Sequence, residues 1–299
     1  MNTVKKIDIH VHTSESAWIC RGTDARYATP EELIHIYDTI GVEKGVILPE
    51  INVEGSFQIS SNYEIWNVVQ KYPHRFAWFA NLDPRQGDNS PNTDFTPYMK
   101  TLMSHGARGV GEICSNMYFD DPFMLNMFRH CEKNGLPVIF HIGNMGGDYG
   151  IVDTYGLPHL EAALQACPNL KFLGHSQKFW SAISGDVTET DWNGYPSGKV
   201  VPGGRLIELF RKYPNLCGDL SAGSGYNAVS RDPDFGYAFM EEFQDRLYYG
   251  TDICSPTNIT SPMLKLASFL DEGYLSGKLS WDAYYKISRG NAEKILGLS

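Results

Sequence analysis

Histidine and acidic side chains recur in this sequence where short apolar runs end. Asp8, His10 and His12 alternate in the first run, so a strand would project all three from one face at steps of ~6.6 Å. Two imidazoles spaced in this way can converge on one Zn²⁺ at Zn–N distances of ~2.0 Å. Four later runs end on another side chain that can bind a metal, namely Glu112, His141, His175 and Asp252. Five runs that end in this way predict a shared metal site.

The elements that must position these side chains form a repeating pattern. Apolar runs rich in β-formers alternate with longer amphipathic stretches along the whole chain, which indicates repeated βα units. This predicts an α/β protein, a single (β/α)₈ TIM barrel over residues 1–299, with a C-terminal helical extension from about Ser280 that packs on the barrel exterior. In such a barrel the carboxyl ends of all strands meet at one rim, where the metal-binding side chains would gather. The eight runs are Val4 to His12, Lys44 to Pro49, Arg75 to Leu82, Ala107 to Ile113, Leu136 to Ile142, Leu170 to His175, Asn215 to Ser221 and Arg246 to Asp252.

Composition limits the kinds of partner. The chain has 299 residues, 42% of them hydrophobic, and a net charge of -10, which favours a large core and disfavours nucleic acid and anionic membranes as partners. A small-molecule substrate fits better, and a homo-oligomer is left open. No apolar run approaches the ~20 residues of a membrane span and the first residues lack a signal-like apolar stretch, so we expect a cytoplasmic protein. The six cysteines form no C-x-x-C pair and are expected to be reduced thiols.

Aromatic and cationic residues follow two of the strands and predict the substrate class. Aromatic walls with one or two cations suit a small, partly apolar carboxylate. The alternative is that the arginines are solvated loop charges and the tryptophans pack the loops onto the barrel. The candidate substrate-binding residues are Trp18, Arg21 and Arg26 after the first strand, and Lys178 and Trp180 after the sixth.

Taken together, these motifs resemble those of a known group of enzymes. The set Asp8-x-His10-x-His12, His141, His175 and Gly250-Thr251-Asp252, with Gly290-Asn291-Ala292 near the end, is similar to the amidohydrolase superfamily, specifically its amidohydrolase-related (amidohydrolase 2) branch. The resemblance spans nearly the whole chain and is specific for fold and metal site, though not for substrate. It implies a divalent metal, Zn²⁺ before others, as one or two ions. By this resemblance the metal ligands are His10, His12, His141 and Asp252, and His175 is either a ligand of a second metal or a catalytic residue beside the substrate.

Glu112 departs from the commonest pattern of the superfamily. Many binuclear members carry a carboxylated lysine on the fourth strand, and this sequence has no lysine near that strand end. The segment Gly111-Glu112-Ile113 is instead similar to the metal-dependent deoxyribonucleases of the superfamily, in which a glutamate helps to hold a second metal. Glu112 therefore either bridges two ions, with His141 and His175 on the second, or is a carboxylate of the pocket.

The resemblance implies a hydrolase acting on an amide, ester or lactone bond of a small molecule. Asp252 would accept a proton from the attacking water and pass it to the leaving group, while His175 stabilises the developing oxyanion. The first alternative is a non-oxidative decarboxylase of an aromatic or dienoic acid, which would use a single ion. The second is a catalytically silent barrel that binds a ligand or partner.

Overall fold

The computed structural model describes residues 2–18, 25–54 and 57–298, and its parallel strands confirm the predicted βα repeat. Each predicted run overlaps a strand, although most strands are shorter than the runs. One further strand of two residues, β6 (Ile151–Val152), pairs with the end of β5 outside the series. The other strands are β1 (Lys6–Val11), β2 (Val42–Ile47), β3 (Phe76–Trp78), β4 (Val110–Ile113), β5 (Val138–Gly143), β7 (Phe172–His175), β8 (Leu216–Asp219) and β9 (Leu247–Tyr248).

Hydrogen bonds join these strands into a closed ring. The ladders run β1-β2-β3 and β4-β5-β7-β8-β9, with every pair parallel. At one seam Ala80 beyond β3 accepts from Gly111 N at 2.8 Å and donates to the carbonyl of Gly109 at 2.9 Å. At the other seam Ile9 N donates to the carbonyl of Tyr249 at 3.0 Å, and the segment after β9 continues alongside β1. The protein is therefore a (β/α)₈ barrel.

Helices follow the strands and begin and end at recognisable signals. Helix α1 starts with a capping box between Thr29 and Glu32 and ends at Gly41, which has φ +75°. Helix α4 ends in the same way at Gly135, with φ +67°. The helices are α1 (Pro30–Ile40), α2 (Asn62–Lys71), α3 (Thr96–Ser104), α4 (Pro122–Asn134), α5 (Pro158–Ala166), α6 (Gln177–Ser181), α7 (Arg205–Lys212), α8 (Ala222–Ser230), α9 (Pro233–Glu242), α10 (Leu266–Leu275), α11 (Trp281–Tyr285) and α12 (Asn291–Leu296). Two 3₁₀ segments (Pro256–Thr260 and Pro262–Lys265) and a π-helical turn (Lys286–Gly290) complete the described structure.

The apolar core has two layers. A large cluster lies between the strands and the outer helices, and a smaller one, which includes Ile9, Ile139 and Leu173, fills the inside of the ring. Ala292 and Leu296 of α12 belong to the inner cluster. The prediction that the C-terminal extension packs on the barrel exterior is therefore wrong for α12. This helix covers the end of the barrel opposite the carboxyl ends of the strands, because its apolar face fits the open interior there.

Two simpler predictions concern membranes and thiols. No helix in the described part of the chain is long and apolar enough to cross a membrane. No disulfide bond joins the five cysteines within the described residues, and Cys20 lies outside those residues.

Candidate metal centre

His10 and His12 face the barrel interior because β1 contains an extra residue. Asp8 is aligned with Gly45 and Val11 with Ile47, so three steps along β1 match two along β2. Such a bulge changes which face the following side chains occupy. Asp8 instead receives a hydrogen bond from Tyr37 Oη of α1 at 2.6 Å, on the outer side of the strand. The expectation that Asp8 shares a face with both histidines is therefore wrong, because strict alternation breaks at the bulge.

A second bulge places Glu112. Val110 is aligned with Val138 and Ile113 with Phe140, so β4 also has one residue more than its neighbour over this stretch. Gly111 has φ +152°, and a Cβ there would lie 2.7 Å from the carbonyl oxygen of Ile139. Only glycine allows this close approach of β4 to β5. The Glu112 carboxylate, 4% exposed, is thereby turned inward.

The other side chains come from the ends of β5, β7 and β9. His141 and His175 are aligned partners on β5 and β7, and their ring centroids are 5.4 Å apart. Asp252 follows β9 in a left-handed conformation, with φ +56°. Its side chain is 26% exposed, against 0 to 10% for the other five, so it faces the opening of the site. We call these six side chains the His–carboxylate cluster: His10, His12, Glu112, His141, His175 and Asp252.

Asp219 and Ser221, which sequence reasoning missed, support the histidines from β8 and the segment that follows it. Asp219 Oδ2 lies 2.6 Å from His10 Nδ1, and Ser221 Oγ lies 2.9 Å from His175 Nδ1. Ser221 Oγ also donates to Asp219 Oδ2 at 2.9 Å. At Gly250 a Cβ would lie 2.6 Å from Asp219 Oδ1, so a glycine gives Asp219 its space. Asp219 is the last residue of β8, and this position at a strand end is the sequence feature that could have identified it.

The ring nitrogens of His10 and His12 are arranged so that a cation could bind between them. His10 Nδ1 faces Asp219, and His12 Nδ1 lies 3.0 Å from the carbonyl oxygen of Leu48, so the ring protons are assigned to Nδ1 in both. Both Nε2 atoms then present lone pairs, and they lie 3.0 Å apart. Two acceptors at this distance repel each other unless a cation or a proton lies between them. The geometry fits a bound cation.

The neighbouring carboxylates complete a ligand set of suitable size. Four ligand atoms at ~2.1 Å from a tetrahedral ion are ~3.4 Å from one another. Glu112 Oε2 lies 3.6 Å from His10 Nε2 and 3.4 Å from His12 Nε2. Asp252 Oδ1 lies 3.6 Å from each of these nitrogens. We call this group (His10, His12, Glu112 and Asp252) the first cation position.

A second group shares Glu112. Its other oxygen, Oε1, lies 3.1 Å from His141 Nδ1 and 3.9 Å from His175 Nε2. The ligand atoms of these three residues lie within 4.8 Å of one another. We call this group (Glu112, His141 and His175) the second cation position.

Charges within the cluster determine its protonation. Burial lowers the pKa of His10, but Asp219 and Glu112 outweigh it and hold that pKa well above its usual range. Burial raises the pKa of Glu112, but the surrounding histidines hold it well below its usual range. Burial, followed by the charge on His10, lowers the pKa of His175. Glu112 is therefore ionised, and a positive charge beside it, either a proton on His10 or a bound cation, balances it.

The candidate substrate-binding residues occupy dissimilar places. Trp18 is 73% exposed, and Arg21 lies outside the described residues. Arg26 makes a bidentate ion pair with Glu32, at 2.7 and 2.8 Å.

The two candidates on α6 are buried. Trp180 is 1% exposed and donates from Nε1 to the Asp219 carbonyl at 2.9 Å, so it packs behind the site and does not form an open wall. Lys178 is 4% exposed; its Nζ donates to the carbonyl of Gly143 at 3.1 Å and lies 4.5 Å from the ring centroid of Trp192.

Solved structures with the same fold include enzymes and an uncharacterised protein. A TIM-barrel protein from Bordetella bronchiseptica, Bb4693, has a TM-score of 0.65 and 22% identity, covering 98% of this chain and 99% of that one. A dihydroxybenzoic acid decarboxylase from Polaromonas, solved with manganese, has a TM-score of 0.59 and 14% identity, covering 100% and 98%. An amidohydrolase from Burkholderia multivorans, solved with zinc, has a TM-score of 0.60 and 14% identity, covering 98% and 99%.

Sequence comparison assigns the family. A comparison with curated proteins found no match. The amidohydrolase family profile matches residues 7–298, a range that includes all six residues of the His–carboxylate cluster and the barrel strands except Lys6 at the start of β1. The chain therefore belongs to the amidohydrolase family, in its amidohydrolase 2 branch.

Proposed function

We propose that the protein is a metal-dependent hydrolase that cleaves an amide, ester or lactone bond of a small, carboxylate-bearing molecule. The observation that carries this proposal is the orientation of Glu112. Its Oε2 faces the Nε2 atoms of His10 and His12 at 3.6 and 3.4 Å, while its Oε1 faces His141 at 3.1 Å. A carboxylate whose two oxygens meet two different histidine groups is suited to bridge two cations, as in two-metal hydrolytic sites.

The donor set favours Zn²⁺. Imidazole nitrogens and carboxylate oxygens in a group of four are typical of zinc, whereas Mg²⁺ and Ca²⁺ prefer oxygen ligands alone. When bound, such a cation supplies a lowered pKa for water and polarisation of a carbonyl group. We assign His10, His12, Glu112, His141, His175 and Asp252 as the ligands.

Asp252 is the residue that we assign to proton transfer. It is the most exposed member of the cluster, and its Oδ1 and Oδ2 face different partners, His10 and His175, each at 3.6 Å. A carboxylate at the opening can meet water and substrate together, so Asp252 accepts a proton from the attacking water and delivers it to the leaving group. His175 belongs to the second cation position. To stabilise an oxyanion instead, it would need a proton on Nε2 in addition to the Nδ1 proton that Ser221 accepts, and burial and the charge on His10 lower its pKa.

Lys178 is the group that we assign to the substrate carboxylate. It extends from α6 to the end of β5, between the strands that carry His141 and His175. Among the described residues it makes no ion pair, and burial lowers its pKa while Asp148 and Asp153 oppose that effect. A buried ammonium with a carbonyl and a ring as neighbours can gain a full ion pair from an anionic ligand. Lys178→Met is expected to raise KM for carboxylate substrates and to leave KM for neutral analogues unchanged.

The remaining candidates have weaker roles in this proposal. Trp18, which follows β1, is proposed as an outer contact of the substrate; Arg21 lies outside the described residues and stays a candidate from the sequence. Arg26 can contribute only if its pair with Glu32 opens. Trp180 acts through Asp219 as a positioning residue.

A decarboxylase is the second candidate function. The fold is shared with a dihydroxybenzoic acid decarboxylase solved with manganese, and at 14% identity this likeness concerns the fold alone. That reaction would use one cation at the first position, and Glu112 would not need a second one. An aromatic or dienoic acid would be the substrate.

Paired substrate screens separate the two functions. The purified protein, reconstituted with Zn²⁺ or Mn²⁺, is offered lactones, esters and amides with acid release as readout, and aromatic acids with CO₂ as readout. We expect hydrolysis, and a fall of about 10- to 100-fold in activity for Glu112→Gln. Glu208→Gln, which changes an exposed carboxylate outside the site, should match the wild type. CO₂ release without hydrolysis, or full activity of Glu112→Gln, would contradict the proposal.

A further inference from the structure

Five large apolar side chains stand exposed on one side of the barrel. We call them the aromatic patch: Trp18, Phe57, Ile59, Tyr63 and Tyr98. Their exposed fractions are 73%, 79%, 53%, 70% and 50%, in that order. Single exposed apolar residues are common on protein surfaces, but contiguous groups of this size mark interaction sites.

The patch is continuous across three adjoining grooves. One groove, of about 470 Å³, is bordered by four members of the patch, including Tyr63. Tyr63 also borders a second groove of about 240 Å³, which shares Leu102 with a third of about 500 Å³. Tyr98 lines the third groove. The patch therefore runs from the loops after β1 and β2 across the first turns of α2 and α3.

We propose that the aromatic patch is the surface at which a second copy of this chain docks. Aromatic side chains present ~150–250 Å² each, so at these exposures the five members offer roughly 700 Å² per copy. A stable interface of standard size buries ~800 Å² per partner. The area on this single patch is therefore close to what a dimer needs.

The shape of the patch allows it to pack against the same patch on a second copy of the chain. A two-fold interface places the same surface on both copies, so it needs projections and recesses side by side. Phe57 and Tyr63 project beside the groove of about 470 Å³ that they border. Rotation about a two-fold axis can place the projections of one copy in the grooves of the other.

Charge also favours a contact centred on these residues. Each copy has a net charge of -10, so two copies repel each other over most of their surfaces. The members of the patch are uncharged, although Glu15 and Glu64 line its first groove beside them. Interface centres are depleted of charge and enriched in aromatic residues. The dimer should tighten as salt screens the repulsion.

Sedimentation velocity of the full chain at micromolar concentrations tests this inference. We expect the wild type to sediment as a dimer of twice 33.6 kDa, and the double variant F57S/Y63S as a monomer of 33.6 kDa. The matched control is Leu275→Ser, which removes a side chain that is 51% exposed at the end of α10, outside the patch, and should remain dimeric. Circular dichroism melts establish that all variants are folded.

Three results would overturn the proposal. If the wild type stays monomeric at all concentrations and salt conditions, the patch does not mediate self-association. This holds also if the patch binds another protein. A folded double variant that remains dimeric moves the interface to another face. If Leu275→Ser dissociates the dimer and the double variant does not, the interface also lies on another face.

Discussion

The two cation positions share Glu112 but differ in how the rest of the protein supports them. At the first position both histidines have an Nδ1 partner outside the cluster, Asp219 for His10 and the Leu48 carbonyl for His12. At the second position His175 has Ser221, while His141 turns its Nδ1 to Glu112 itself and packs its ring against Tyr149, with centroids 4.5 Å apart. Ligand orientation is therefore fixed by the scaffold at the first position and depends more on the cation at the second.

This difference predicts which of the two positions should bind its cation more tightly. Partners of ligating histidines fix the ring orientation and raise the basicity of the ligand. The distances at the first position lie between 3.0 and 3.6 Å, whereas at the second position those to Glu112 Oε1 spread from 3.1 Å for His141 Nδ1 to 3.9 Å for His175 Nε2. We expect the first position to fill first and the second to need more metal.

The largest effect is expected at Asp252, which belongs to the first position and faces the opening. Asp252→Asn keeps the size of the side chain but removes the proton acceptor, so kcat should fall by ~10²–10⁴-fold. Turnover of the best substrate from the paired screens measures this, and a thermal melt shows that the fold is intact. Full activity in the folded variant would remove Asp252 from proton transfer.

Histidine substitutions test the two positions separately. His12→Asn should empty the first position and, through Glu112, weaken the second, while His141→Asn should leave the first filled. Elemental analysis of protein dialysed against excess Zn²⁺ should therefore give close to one ion per chain for His141→Asn and fewer for His12→Asn. Equal loss of both ions in the two variants would contradict the proposed inequality.

Asp219 should affect the cation affinity of the first position through His10, without binding the cation itself. Asp219→Asn offers His10 an amide in place of a carboxylate and should lower the affinity for the first cation by about 10- to 100-fold. Competition with a chromophoric chelator measures that affinity. Asp94→Asn, whose carboxylate is 69% exposed, is the control and should bind as the wild type does. An unchanged affinity in Asp219→Asn would show that the contact with His10 is not needed.

Glycine substitutions should give the smallest changes. A Cβ at Gly250 would meet Asp219 Oδ1 at 2.6 Å and Ser221 Cβ at 2.8 Å, both supports of the site. Gly250→Ala should therefore lower the free energy of unfolding by about 1–3 kcal/mol. At Gly223 in α8 the nearest atom would be 3.3 Å away, on the exposed ring of Tyr195, so Gly223→Ala should be close to neutral. Denaturant titration compares the two; equal stability would show that the space beside Asp219 is not tight.

Much of this arrangement could be predicted from the sequence. Apolar periodicity located the barrel strands, because parallel strands buried on both faces leave a clear pattern. The side chains that end these strands predicted the His–carboxylate cluster, and the structure brings all six together. Their roles as ligands stay predictions.

What the sequence could not show depends on local departures from regular structure. An extra residue in β1 turns the Asp8 side chain to the opposite face of the strand from the His10 imidazole. A prediction based on strict alternation does not show this. Asp219 was missed because a carboxylate near a strand end has several ordinary explanations. Trp180 was expected at a substrate wall, and its actual position depends on packing between α6 and β8 that no single-sequence pattern encodes.

A diffraction experiment at the zinc absorption edge tests the central claim most directly. Crystals grown with excess Zn²⁺ should show two anomalous peaks, ~3.5–4 Å apart, on either side of the Glu112 carboxylate. One peak should be bound by His10, His12 and Asp252, and the other by His141 and His175. A single peak with Glu112 unligated would contradict the two-cation account and favour the decarboxylase.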